Sequence, residues 1–176
     1  MRRVMLLRHA KSDWSNPGGG DKGRPLNERG RETAPEIGTY IARTGLLPDL
    51  ILCSTAIRTR QTCALVTAAF AKSPKINFEE ALYLAEPDEI VSLIQEVPER
   101  VRTLMVVGHN PGIHQAAAEL TQAGNTEDHQ LLAAKFPTAA LAVIDFDAQD
   151  WADIRAHAGK LDRFITPRLL SEADES

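Results

Sequence analysis

Three short apolar runs, each stopping abruptly at polar groups and each followed by a helix-like stretch, constrain this chain more than any other feature. Val4 to Leu7 ends at Arg8-His9-Ala10, Leu50 to Cys53 ends at Ser54, and Thr103 to Val107 ends at Gly108-His109. Runs of this length without helical periodicity read as strands buried on both faces, the habit of parallel sheets. A fourth run spans Ala139 to Phe146. Helical signals extend from an N-cap at Asn27 towards Thr44, and over Ile57 to Ala71, Pro87 to Glu96 and Pro111 to Leu120. The alternation predicts an α/β fold with a largely parallel sheet. Pro35 removes a backbone donor, so the first helix is expected to start late or bend there.

The 176 residues, 43% of them hydrophobic, suffice for one domain with a sizeable core, expected over residues 1–170. The acidic stretch 171–176 is expected to be a disordered tail. A formal net charge of -4 gives general nucleic-acid binding no electrostatic support. The apolar run after Arg2 and Arg3 ends too soon, at Arg8, for a signal peptide, and no later stretch is long enough to span a membrane. Cys53 and Cys63 match neither a zinc knuckle nor a CxxC pair and read as reduced core thiols of a cytoplasmic protein.

In a parallel sheet the carboxyl ends of the strands share one edge, where α/β proteins place ligands. That edge would collect Arg8 and His9 from the first strand and Ser54 with the nearby Arg58 from the second. The third strand would add His109 and Asn110. Arginine's planar fork matches phosphate oxygens, and helix N-termini beside it favour anions, so the set outlines a phosphate site. A metal site is not expected: no HxH or HExxH spacing occurs, and the arginines would repel a cation. Gly18 to Gly23 formally satisfies GxGxxG but runs into Arg24-Pro25 instead of opening a helix, and reads as a flexible loop.

These residues resemble the histidine phosphatase superfamily, the phosphoglycerate mutase-like group, and within it the compact SixA-type phosphohistidine phosphatases. The family's Arg-His-Gly motif stands as Arg8-His9-Ala10, and its second arginine lies in Ser54-Thr55-Ala56-Ile57-Arg58-Thr59-Arg60. Its second histidine stands in Val107-Gly108-His109-Asn110-Pro111, and Arg24-Pro25-Leu26-Asn27-Glu28-Arg29-Gly30 matches the stretch opening the first helix.

The resemblance implies a three-layer α/β/α sandwich without a large cap. It also implies a cofactor-free phosphatase in which His9 is the nucleophile and Arg8, Arg58 and His109 surround the phosphoryl oxygens. Ser12 and Asn110 are further candidate substrate ligands. Two departures bear on substrate. Ala10 replaces the usual glycine, and Leu84 falls where mutase-like members carry an acidic residue, leaving Glu86 or Glu80 as the candidate acid. A weak or missing acid penalises alkoxide leaving groups more than imidazole. The expected substrate is therefore a phosphohistidine-bearing protein. The alternatives are a phosphatase for small phosphorylated metabolites and a non-catalytic phosphate-recognition module.

Overall fold

The computed structural model describes residues 1–15 and 17–175; Asn16 of the glycine-rich loop and Ser176 of the tail lie outside the described residues. The strands are β1 (Arg2–Arg8), β2 (Leu50–Ser54), β3 (Lys75–Glu79), β4 (Thr103–Gly108), β5 (Leu141–Phe146) and β6 (Lys160–Ile165). The helices are α1 (Glu28–Arg43), α2 (Ile57–Thr67), α3 (Pro87–Gln95), α4 (Gly112–Leu120), α5 (Glu127–Ala134) and α6 (Pro167–Glu175). The strands form one sheet in the order β3-β2-β4-β1-β5-β6. Strands β1 to β4 run parallel, whereas β5 is antiparallel to both β1 and β6.

Strand alternation divides the core into two layers. Val4, Leu6, Leu52, Leu104 and Val106 face Ile90 and Ile94 of α3, Ile113 and Ala117 of α4 and Leu132 of α5. Met5, Leu7, Ile51, Met105 and Val107 face Ile37 and Ile41 of α1 and Cys63 and Val66 of α2. Helices thus cover both sheet faces, and the central strands need the unbroken apolar runs that mark them in sequence. Cys53 and Cys63 are buried free thiols, as their positions suggested.

The structure departs from the expectations at the margins. Helix α1 does not start late at Pro35: Asn27 Oδ1 accepts the Gly30 N–H at 2.9 Å, and a buried stripe of Thr33, Ala34, Ile37, Gly38 and Ile41 holds the helix from Glu28 onward. The tail expected to be disordered from Ser171 forms part of α6. Its start is secured by Thr166 Oγ1 accepting the Leu169 N–H at 3.2 Å, Arg168 pairs with Glu172 at 3.1 Å, and Leu170 packs against the α1 layer. The Gly18 to Gly23 segment is a structured turn: a short 3-10 helix over Pro17–Gly19 leads into Gly20 at φ +63°. A Cβ on Gly23 would meet the Gly19 carbonyl oxygen at 2.6 Å.

Candidate active site

Sheet register creates the central pair of this site. Arg8 lies opposite Gly108 in the β1–β4 ladder, and the His9 N–H continues it to the Gly108 carbonyl at 3.1 Å. The next residue on each strand is a histidine, so His9 and His109 become neighbours with ring centroids 5.4 Å apart. Both are buried.

The two rings are held differently. His9 Nδ1 lies 2.7 Å from the Ala10 carbonyl oxygen. A carbonyl only accepts, so Nδ1 carries the proton and the lone pair of the neutral ring resides on Nε2. His109 Nε2 bonds Ser54 Oγ at 2.8 Å, and its Nδ1 is buried without a partner among the described residues. Desolvation first, then the backbone bond acting in opposition and the nearby His109, Arg8 and Arg58, set the His9 pKa at about 3. Burial, Arg58 and other neighbours bring His109 down to about 4. Near neutrality both rings are uncharged. Ala10, in the glycine position, is fully buried among the α1-layer apolar side chains and donates its N–H to Thr62 Oγ1 at 2.9 Å.

The cations come from three directions. Arg8, at the end of β1, donates from Nη1 to the Phe136 carbonyl at 3.1 Å. Arg58, in the first turn of α2, is only 2% exposed, and it meets a residue that sequence reasoning passed over. Its Nη1 donates to the Asp21 carbonyl at 2.7 Å and its Nη2 to Asp21 Oδ2 at 3.1 Å. Arg24 Nη2 donates to Asp21 Oδ1 at 3.2 Å, and the Tyr83 hydroxyl donates to Oδ2. Tyr83 also sets its ring edgewise against His109 with centroids 5.5 Å apart. The Tyr83 bond, with the two guanidinium partners adding to it, lowers the Asp21 pKa to about 2, so the group stays a carboxylate.

The remaining candidates separate. Ser12 is buried and bonded to Arg24 Nη1, so it holds an arginine of the site. Asn110 donates to the Phe136 carbonyl at 2.9 Å, the same acceptor that Arg8 uses, and keeps a buried Oδ1 without a partner among the described residues. Glu86 is exposed at the N-cap of α3, with its N–H bonded to Glu89 Oε1 at 3.3 Å. Glu80 bonds Lys22 and Thr55, and those bonds lower its pKa. Trp14 is 80% exposed and covers the Arg24 guanidinium at 3.6 Å, placing it on the rim and not in the core. Among the described residues no three His, Cys, Asp or Glu side chains stand together as a metal-ligand set. A carboxylate and a tyrosine flanking the matched motifs were the available signals for Asp21 and Tyr83. Neither has a fixed spacing from the histidines, so only the fold identifies them.

The arrangement can carry out phosphoryl chemistry: a neutral imidazole with its lone pair on Nε2 stands beside a second imidazole and permanently charged guanidinium groups. Comparison with known proteins agrees. The family model described as the histidine phosphatase superfamily, branch 1, matches residues 4–83. The chain is 36% identical over 164 residues to the uncharacterized protein Rv1276c of Mycobacterium tuberculosis, covering 92% of this chain and 100% of that one. Among solved structures, it is similar to one from Agrobacterium tumefaciens assigned as the phosphohistidine phosphatase SixA. That match has 37% identity and a TM-score of 0.77, over 94% of this chain and 98% of the other. A second structure with the same assignment, from Nakamurella multipartitia, gives 30% identity and a TM-score of 0.80, over 94% and 96% of the two chains.

Proposed function

The chain belongs to the histidine phosphatase superfamily, in its SixA-type group, and from that premise we propose that it hydrolyses phosphohistidine on proteins through a covalent phosphohistidine formed on His9. The observation that carries this reading is the His9 Nδ1 bond to the Ala10 carbonyl at 2.7 Å, which leaves Nε2 as a preformed nucleophile that needs no separate base. The Nε2 lone pair forms the new nitrogen–phosphorus bond as the bond to the leaving imidazole breaks, and that imidazole takes its proton from water. A second water, losing a proton to the hydroxide left by the first, then displaces the phosphoryl group from Nε2, releasing inorganic phosphate and restoring the lone pair.

Arg8, Arg58 and His109 have the charge and hydrogen-bonding groups to stabilise the equatorial oxygens, with Asn110 and Ser12 positioning the set. No metal or cofactor is required, because the guanidinium groups supply the positive charge and the neutral His109 imidazole supplies hydrogen bonding. The acid role expected of Glu86 draws no support from its place at a helix cap, and Glu80 is held as an ion-paired carboxylate. That favours a leaving group able to depart without strong acid catalysis, as an imidazole can. Between α2 and β4 the chain builds only β3, a 3-10 turn and α3, leaving no large cap over the site. An uncapped site suits a phosphorylated side chain on a protein surface, with residues 1–170 acting as one domain. The buried free thiols fit a reducing, cytoplasmic setting.

The test is phosphate release from a phosphohistidine-bearing protein in the presence of chelator. The wild type is expected to turn it over, and His9→Ala to be slower by about a thousandfold or more. Turnover of small phosphorylated metabolites in its place would support the metabolite reading. Phosphate binding without any turnover would indicate a recognition module.

A further inference from the structure

The best donors of the site are already occupied by one of the protein's own residues. Arg58 is 2% exposed, and both of its terminal nitrogens donate to Asp21, one to the main-chain carbonyl and one to the carboxylate. The same carboxylate receives Arg24, whose side chain is 9% exposed, and the Tyr83 hydroxyl. Two buried guanidinium groups cannot stay without a counter-ion cheaply. Asp21 supplies one, and its carboxylate binds as a phosphate would, through fork-shaped donors on separate oxygens. Asp21 is itself 44% exposed on the turn that follows Gly20, so its side chain can return to water while Arg58 stays buried.

We propose that Asp21 is an internal substitute for the substrate's phosphoryl group. Its carboxylate holds Arg58 and Arg24 between turnovers, yields them to an incoming phosphoryl group and reclaims them as phosphate leaves. A phosphoryl group brings three oxygens and a charge approaching -2, against two oxygens and -1 for the carboxylate. It therefore wins the competition, whereas weaker monoanions do not. Asp21 thus sets both the anion selectivity of the site and the ease of product release. The inference rests on reading Arg58 as a phosphoryl ligand.

The experiment is binding of inorganic phosphate to the full chain by calorimetry, together with its inhibition constant against an aryl phosphate. Asp21→Asn keeps the size and removes the competing charge; it is expected to bind phosphate about tenfold more tightly and to accept a monoanion such as formate measurably better. Tyr83→Phe removes one of the carboxylate's donors without changing charge and is expected to tighten phosphate binding two- to threefold, roughly, by loosening Asp21. This second variant keeps the test open if Asp21→Asn folds poorly. Unchanged or weaker phosphate binding in both variants, with normal binding by the wild type, overturns the proposal and makes Asp21 a positioning residue for the arginines. Absence of phosphate binding in the wild type and in both variants would instead remove the phosphatase reading on which the inference rests.

Discussion

His9 and His109 are two residues of the same kind made chemically distinct by their bonds. The Ala10 carbonyl fixes the proton of His9 on Nδ1, while Ser54 holds His109 through Nε2 and leaves Nδ1 facing no partner among the described residues. Their depressed pKa values also link the site to stability. In the unfolded chain both rings would titrate near 6.5, but folded they hold out to about 3 and about 4, chiefly because burial disfavours the charged form. Between these limits the unfolded chain binds more protons than the folded one. The stability contributed by neutral histidine is therefore complete above the unfolded value and is lost as pH falls towards the folded values. At pH 5 the loss is about 2 kcal/mol for each ring. Urea unfolding at pH 7 and pH 5 should show this drop, and His109→Asn should remove about half of it. An identical pH dependence in the variant would mean that other groups cause the acid sensitivity.

The elements place these residues through close backbone contacts as much as through side chains. Helix α1 approaches α2 so closely at Gly38 that an added Cβ would lie 2.3 Å from the Val66 carbonyl oxygen. That contact supports the helix that carries Arg58. Gly38→Ala should force the two helices apart and cost about 1–3 kcal/mol, read as a lower urea midpoint with an unchanged denaturant slope. A midpoint equal to wild type would show that the interface yields without cost. Gly112 plays a matching part at the start of α4, where an added Cβ would lie 2.0 Å from the Ala85 carbonyl oxygen. It lets the segment carrying Tyr83 settle against the strand end that carries His109.

At the scale of the molecule, the candidate site lies at the carboxyl ends of the parallel strands β1, β2 and β4, without a large covering insertion. With Glu80 ion-paired and Glu86 at a helix cap, leaving-group quality should control the rate. For a series of phosphate monoesters, kcat/KM is expected to fall steeply as the leaving-group pKa rises, with alkyl phosphates about a hundredfold or more below aryl phosphates. A flat dependence would require an acid in the site. Much of this architecture is legible from the chain alone. Val4 to Leu7, Leu50 to Cys53 and Thr103 to Val107 are continuous apolar runs because both faces of those strands are buried, and Arg8, His9, Arg58 and His109 follow them at positions the resemblance marks. The edge strands β3 and β6 escape such a reading, since exposed Lys75, Lys160 and Asp162 and half-buried Asn77 break the run. Helix α6 escapes it because acidic composition resembles a tail until Leu170 finds the α1 layer. The sequence by itself determined the central strands and the polar residues at their carboxyl ends, since both depend on residues adjacent in the chain. Only the tertiary structure decided that His9 keeps its lone pair on Nε2 and that Asp21 closes the arginine pair, because both depend on which groups meet across the fold.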